Sequence, residues 1–366
     1  MNPSISLLQR LPMAVLDRMA GVLALPLLLQ ATHRASVLGL LTGSVTLVGP
    51  RVPAHPRMAR GLICLWWLRT RSNIDFGTEA EADAEYLRER SLRGDLSILA
   101  RAIIARLYGA PQQGHDASIT IQQIRLLNLR CDELLDAIAV TLRLRTPMRI
   151  AFVNPDCVNI ASHDAAYRQC LTESDWVCAD GIGMKIAGNL LGRPVRQNIN
   201  GTDLFPRLCE SLAQSGHRLF LLGGGEGIAE QAASWAEQRY PGLAIAGTQH
   251  GFFPESHNEA VIAEIRASRA DVLLVAMGAP RQEKWLSAHF AETGAVLGAG
   301  VGGLFDYYSG RIPRAPQWLR DVGGEWLYRL YQEPRRLWQR YLVGNVVFLV
   351  RIFSERVLGN LRKEIR

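Results

Sequence analysis

Between residues 118 and 310, short apolar runs alternate with stretches of helical periodicity. The runs are Arg149–Val153, Trp176–Ala179, Arg218–Leu222, Leu243–Ala246, Val272–Met277 and Ala295–Leu297. Several end in Gly or Asn, as a strand does where it meets a turn. They are apolar nearly throughout rather than alternating, which is the signature of strands buried on both faces. Strands alternating with helices predict an α/β fold, Rossmann-like, with a mostly parallel sheet and helices on both faces.

The flanks have a different texture. Ala20–Ala31 is the most apolar stretch, bounded by Asp17-Arg18 and His33-Arg34, with Pro26 in its middle. As a helix it reaches about 18 Å, short of the roughly 30 Å hydrocarbon core. A broken, re-entrant or interfacial segment fits that length. Leu92, Leu96, Leu99, Ile103 and Leu107 recur at helical spacing and predict one amphipathic helix over about 79–107. Residues 111–117 (PQQGHDA) read as a linker. Beyond residue 316, Trp318, Leu319, Val322, Trp326, Leu327 and Leu330 form one helical stripe. After Pro334, Leu337, Tyr341, Leu342, Val346, Leu349, Val350 and Phe353 form a second, with Arg329, Arg335, Arg336, Arg340, Arg351 and Arg356 on the polar faces. That is the profile of an interfacial helix pair, or of a stripe packed on its own domain. The expected organisation is an N-terminal helical membrane-docking region (1–110), a linker with the first catalytic-domain helix (111–148), a catalytic domain (149–312) and a basic amphipathic helical appendage (313–366).

Charge sharpens this division. The net charge is +7 over 366 residues. The first 310 residues are neutral, so the whole excess lies in the aromatic-rich tail. Such a tail suits phosphates, in a substrate or on a membrane surface; nucleic acid is not an expected partner. The six cysteines form no CxxC pair and no His sits at zinc-site spacing, so they read as small buried hydrophobes of a reducing cytoplasm. No leader peptide is expected.

Candidate chemistry falls where these strands end, the usual ligand edge of a parallel sheet. WVCADGIG (176–183) puts Asp180 straight after a strand, where partial desolvation raises a carboxylate toward base-competent values; a helix-capping Asp is the alternative. FVNPDCVN (152–159) places Asn154 at another strand end. NGTDLF (200–205) sets Asn200, Thr202 and Asp203 at a helix start, where capping is commoner. In LFLLGGGEG (219–227), Gly223 and Gly224 allow a close backbone approach to a diphosphate, or simply make a tight turn. VLLVAMGAPRQEKW (272–285) carries Gly278 into a turn and puts Gln282 in the first helical turn, pointing an amide at a ligand unless Glu283 is merely capping. VLGAGVGGLFD (296–306) ends in a Gly-rich turn followed by Asp306, a carboxylate suited to a ribose or a base N–H. There is no DxD-type pair, HExxH, GxSxG or GxxxxGK[ST]. No metal ligand and no cofactor is therefore expected, and a bound diphosphate would be neutralised by protein cations and amides.

In one order along 149–345, the chain carries FVNPDCVN, ADGIGMKIAGNLLG, NGTDLF, LFLLGGGEG, YPGL, HGFF, MGAPRQEKW and GVGGLFDYYSGRIPRAPQWLRDVGGEWLYRLYQEPRRLWQRYL. These strings resemble the WecG/TagA/CpsF glycosyltransferases. The resemblance implies a membrane-associated, metal-independent, inverting enzyme. It would move a sugar from a UDP-sugar donor to a polyprenyl-diphosphate-linked saccharide acceptor in surface polysaccharide assembly. It implies that Asp180 is the catalytic base, Gln282 positions acceptor or donor, Asp306 recognises uridine, and Phe252 stacks near the uracil. Arg329, Arg336 and Arg340 would close over the diphosphate. One position departs from the family pattern: many members have Thr two residues before the first-motif Asn, and here it is Phe152.

LDRMAGVLALPLLL, TGSVTLVGPRVP, RTRSNIDF, Asp83, Tyr86 and SLRGDLSIL resemble pieces of a bacterial polyprenyl-phosphate sugar-1-phosphate transferase. The segment between Ala31 and Val48 is too short for that family's catalytic acidic residues. Residues 1–110 are therefore read as a shrunken, inactive docking module. The implied location is the cytoplasmic face of the bacterial inner membrane, peripheral or monotopic. Homo-oligomerisation and the identity of the sugar, N-acetylmannosamine among the plausible donors, stay open. The alternatives are a bifunctional enzyme with residual sugar-1-phosphate transfer, a non-catalytic membrane scaffold, and, more distantly, a nicotinamide-dependent dehydrogenase, whose fingerprint glycines are lacking.

Overall fold

The computed structural model describes residues 42, 44–54, 58–72, 77–107 and 116–364. The apolar Ala20–Ala31 segment with Pro26 lies outside the described residues, as do residues 111–115 of the expected linker. Two compact units emerge. One comprises residues up to Pro111 together with Gln317–Gly324; the other comprises Gln112–Pro316 and Glu325–Arg366. The tail thus does not stay together as one appendage, because eight of its residues pack with the N-terminal unit.

In the first unit, β1 (Val45–Val48) pairs in parallel with β2 (Arg60–Ile63). The pair is followed by α1 (Leu65–Ser72), α2 (Glu79–Glu89) and α3 (Leu92–Leu107). Leu47, Ile63, Leu68, Ala82, Tyr86, Ile98 and Ala102 make its core. Thr78 and Glu81 close a capping box that starts α2. The single helix expected over 79–107 breaks at Arg90, whose ψ of 122° is extended rather than helical. The Tyr86 hydroxyl crosses the break and donates to Asp95 Oδ1 at 3.0 Å. Within the same unit, buried Asp321 accepts from Arg69 Nε at 3.0 Å and Arg101 Nη1 at 2.9 Å.

The second unit opens with an antiparallel hairpin, β3 (Ser118–Ile121) and β4 (Ile124–Leu127). The pattern there alternates, with Ile119, Ile121, Ile124 and Leu126 buried. Its two-residue turn is Gln122–Gln123, both at positive φ (48° and 66°), as a type I′ turn requires. α4 (Cys131–Leu144) leads into the main sheet.

The six strands of that sheet are all parallel. They are β5 (Met148–Val153), β6 (Trp176–Ala179), β7 (Arg218–Gly223), β8 (Ala244–Gln249), β9 (Val272–Ala276) and β10 (Leu297–Gly300), in the order β6-β5-β10-β9-β7-β8. All six apolar runs of the sequence are these strands. Side chains alternate between two cores. Ile150, Phe152, Leu219 and Leu221 face one core with α4, α8 (Gly201–Ser215) and α9 (Ile228–Arg239). On the other side, Ala151 and Val153 pack with α5 (Pro155–His163), α6 (Ala165–Thr172) and α7 (Ile182–Leu190). Phe220 and Leu222 pack there with α10 (Asn258–Ser268) and α11 (Arg281–Thr293).

β10 runs further than its apolar run, through Gly298 and Gly300. A Cβ on Gly298 would lie 2.8 Å from the Phe290 ring, and one on Gly300 2.8 Å from Gln282 Nε2. These glycines let α11 lie close against the strand. After α12 (Leu304–Tyr308), the tail returns to this unit as α13 (Glu325–Gln332), α14 (Pro334–Trp338) and, past a π turn at Gln339–Val343, α15 (Gly344–Glu364). Phe348 and Ile352 of α15 are buried in the core that holds α5 and α7.

Candidate active site

The strand order reverses at β5. The chain first moves outward to β6, then crosses to build the other side of the sheet from β7 on. Loops leaving β5 and its neighbour β10 therefore diverge and open a crevice at their carboxyl ends. Asn154, Asp180, Gly278 and the 301–303 turn all follow strands on this edge.

Asn154 is the N-cap of α5. Its Oδ1 accepts from the Asp156 and Cys157 N–H groups at 3.0 and 3.1 Å. Its amide then hydrogen-bonds the Asp180 carboxylate. Asp180 itself is held on the backbone side, donating its N–H to Val153 O at 2.8 Å. Partial burial pushes its carboxyl up to about 6; Arg340 and the Asn154 amide oppose the rise, while Glu325 and Asp203 add to it. A carboxyl so placed is ionised at neutral pH yet basic enough to take a proton. Asp180 lies in the loop between β6 and α7, and the residue at the N-cap of α7 is Gly181, so Asp180 does not spend its side chain on capping.

Arg340 stands 3.2 Å from Asp156 Oδ2 through its Nε. Arg329 reaches the β10 turn from α13. Its Nη1 is 3.4 Å from the Tyr307 hydroxyl, and its Nη2 is 4.0 Å from Asp306 Oδ2. It fills the space over Gly303, where a Cβ would sit 2.5 Å from Nη2. Asp306 is pinned on its other oxygen by Arg311 at 2.8 Å. The structure thus brings Asn154, Asp180, Arg340 and Asp156 into one group, and Asp306, Arg329, Tyr307 and Gly303 into another.

Other expected residues are spent differently. Asn200 caps α8, accepting from Asp203 N–H at 2.7 Å and donating to Asp203 Oδ2 at 2.7 Å; the commoner capping role is what the structure shows. Thr202 is tied through its carbonyl to the Tyr308 hydroxyl at 2.6 Å. Gly223 and Gly224 are accounted for by packing: a Cβ would lie 2.5 Å from Ala276 O at the first and 2.8 Å from Ile228 at the second. Phe252 projects from the loop after β8 and is 76% exposed. Arg336 pairs with Glu333 Oε2 at 2.6 Å, an oxygen that also lies 3.9 Å from Arg329 Nε, so Arg336 joins the second group only through Glu333.

The expectation that Gln282 points its amide at a ligand is corrected. Gln282 is buried, and its Oε1 accepts from the Gly278 and Gly302 N–H groups, both at 3.0 Å. Its Nε2 donates to Glu283 Oε1 at 2.8 Å. The amide oxygen and one amide N–H are thus bonded within the protein.

Three acidic or basic participants were not singled out from sequence. Arg314 bridges Asp203 at 2.8 Å and Glu325 at 3.2 Å, tying α8 to the start of α13. Glu325 also acts on Asp180. Glu283 is buried, and its carboxyl is pushed up to about 7 by that burial. Among the described residues, no group of three His, Cys, Asp or Glu side chains could hold a metal ion.

Fold and site define an open α/β ligand-binding protein whose cleft carries a poised carboxylate and arginines delivered by a helical tail. The model of the glycosyl transferase WecG/TagA/CpsF family matches residues 119–362, and the chain belongs to that family. It is similar to the N-acetylglucosaminyldiphosphoundecaprenol N-acetyl-beta-D-mannosaminyltransferase of Bacillus spizizenii, at 32% identity over 193 residues, 53% of this chain and 74% of the relative. A protein of the same description from Staphylococcus aureus is 32% identical over 189 residues, 51% of this chain and 73% of the relative.

Proposed function

We propose that this glycosyltransferase moves a hexosyl group, of the N-acetylmannosamine kind, from a UDP-sugar to a polyprenyl-diphosphate-linked saccharide, with inversion and without a metal. The observation that carries the reading is Asp180: a strand-end carboxylate, raised to about 6, steadied by Asn154 and faced by Arg340. Inversion is one in-line displacement. The acceptor hydroxyl loses its proton to the Asp180 carboxylate as its oxygen bonds to the anomeric carbon. The bond from that carbon to the UDP oxygen breaks, and the departing charge is met by arginines. Arg329 and Arg340 have the position for it. The relatives' name supplies the acceptor class: they act on N-acetylglucosaminyldiphosphoundecaprenol.

A lipid-linked acceptor calls for a membrane surface. No helix among the described residues is long and apolar enough to cross a membrane. α15 presents Val346, Val350, Phe353 and Val357 to solvent, 41–64% exposed, on the side opposite buried Phe348 and Ile352. We read this face as lying in the headgroup region of an anionic membrane at its cytoplasmic side. Residues 1–110 then serve as a docking module, and the product feeds surface or exopolysaccharide assembly.

The test is UDP release by purified protein from a panel of UDP-sugars, with a short-chain polyprenyl-diphosphate N-acetylglucosamine and EDTA present. Acceptor-dependent release from one donor is the expected result. Release that stops with EDTA would remove the metal-free mechanism, and no release with any donor would remove the reading.

A further inference from the structure

Gln282 and Glu283 raise a question that the reaction itself does not answer. Both are 4% exposed. Glu283 offers one carboxylate oxygen to Gln282 Nε2 at 2.8 Å, while its Oε2 has no hydrogen-bond partner. A buried carboxylate with an unmet oxygen carries a desolvation cost that no hydrogen bond repays. Residues that break a local rule of stability in this way are expected where function requires them.

The requirement is visible two steps along. β9 and β10 are neighbours in the sheet. The turn after β9 contains Gly278 and the turn after β10 contains Gly302, both with left-handed backbones at φ 79° and 58°. Their N–H groups converge on one atom, Gln282 Oε1, at 3.0 Å each. Gly300 lacks the Cβ that would collide with the Gln282 amide. One side-chain carbonyl therefore brackets two loops. An amide can turn over, exchanging oxygen for nitrogen, and the turned form would set NH2 against two N–H donors. An acceptor on the nitrogen side prevents this. In its ionised form Glu283 supplies acceptors only, and its Oε1 is that acceptor, at 2.8 Å from Gln282 Nε2. Downstream of Gly302 come Gly303, under Arg329, and Asp306. The bracket thus sets the height of the turn on which the arginine rests.

We propose that Glu283 is a positioning residue: by locking the Gln282 amide, it fixes the Gly278 and Gly302 turns and, through them, the Arg329 platform that receives the donor's diphosphate. The last clause rests on the glycosyltransferase reading above; the bracket itself does not.

Two substitutions separate this from a packing role. Glu283→Gln keeps a carbonyl for Gln282 Nε2, and Glu283→Leu keeps volume without an acceptor. In Glu283→Leu, the donor KM is expected to rise about tenfold, the size of one lost hydrogen bond, with kcat moving less than about threefold. Glu283→Gln falls between Glu283→Leu and the wild type. Glu283→Leu leaves Gln282 Nε2 without its acceptor but also removes the unmet Glu283 oxygen, so its Tm should stay within a few degrees of the wild type. Amide exchange in peptides covering 277–283 and 300–304 should speed up in Glu283→Leu and less so in Glu283→Gln. The swap Q282E with E283Q should recover part of what Q282E alone loses, because acceptor and donor are then restored in reverse order. Equal behaviour of the Gln and Leu variants, or a Tm that falls in step with activity, would assign Glu283 to the fold and overturn the proposal. Should the wild type release no UDP, the exchange arm decides alone: altered protection keeps the bracket while the glycosyltransferase reading fails, and unaltered protection removes the bracket.

Discussion

Asp180 combines two consequences of one environment. Burial raises its carboxyl to about 6, so below that pH it is protonated and takes no proton from an acceptor. kcat/KM is expected to climb about tenfold per pH unit up to about pH 6 and then level. Stability runs the other way. The folded state holds this proton more tightly than the unfolded chain, where the group titrates near 3.8. The native state is therefore favoured at low pH, and that advantage fades as pH rises between the two values and is gone above about 6. Asp180→Asn should abolish transfer and leave UDP affinity, measured by calorimetry, nearly intact. The same variant should gain about 1–3 kcal/mol in denaturant unfolding at pH 8 but little at pH 4. Loss of UDP binding together with stability would make Asp180 a structural residue. Asp180 stands out in the sequence because it directly follows an apolar strand, with helix capping as its other reading. Gln282 was legible as important, but its direction was not. Only the fold brings Gly302 beside Gly278, and only that meeting turns the amide inward. Glu283 reads in the sequence only as a capping residue, since an acidic residue in a first helical turn is ordinary.

At the scale of elements, the apolar runs sufficed for the main sheet, because strands covered on both faces leave no polar alternation to misread. β10 escaped in part, since its last residues are glycines chosen to admit α11. The hairpin β3–β4 escaped because its turn is Gln122–Gln123 instead of Asn-Gly. Gln122 is compensated: its N–H and Nε2 both donate to Glu355 Oε2 of α15, at 2.9 and 3.0 Å. No such side-chain bond is seen for Gln123, at φ 66°. Gln123→Gly should therefore raise stability by about 0.5–1 kcal/mol in chemical denaturation, whereas Gln122→Gly should not, because it forfeits the bond from Nε2. α15 allows a second test, of the proposal that its exposed face meets lipid while its other face packs in the core. Phe348→Ala removes a buried ring from the core and should cost about 3–5 kcal/mol. Phe353→Asp alters a solvent-facing position and should leave Tm nearly unchanged while weakening sedimentation with anionic vesicles. Equal vesicle binding by wild type and Phe353→Asp would remove α15 from the membrane.

For the whole molecule, the sequence suggested a clean cut near residue 313 between catalytic domain and tail. Asp321 shows why such a cut misleads. It is 1% exposed and neutralises Arg69 and Arg101, which are themselves buried in the N-terminal unit. No local pattern could disclose a pairing across more than two hundred residues of chain. Truncation before residue 317 would remove the arginines of α13 and α14, but it would also take Asp321 from buried Arg101 and leave Arg69 with Glu85. Loss of activity on truncation would then mix two causes. Point substitutions separate them. Asp321→Ala should lower the stability of the N-terminal unit by about 3–5 kcal/mol, the usual result of breaking a buried pair from one side. Limited proteolysis should find new cleavage within residues 44–107, while UDP affinity is retained. Arg329→Ala should leave that proteolytic pattern unchanged and weaken UDP binding at least tenfold, as expected for a lost charge-assisted contact. If Asp321→Ala weakened UDP binding as much as Arg329→Ala, the role of Asp321 would not be confined to the stability of its own unit.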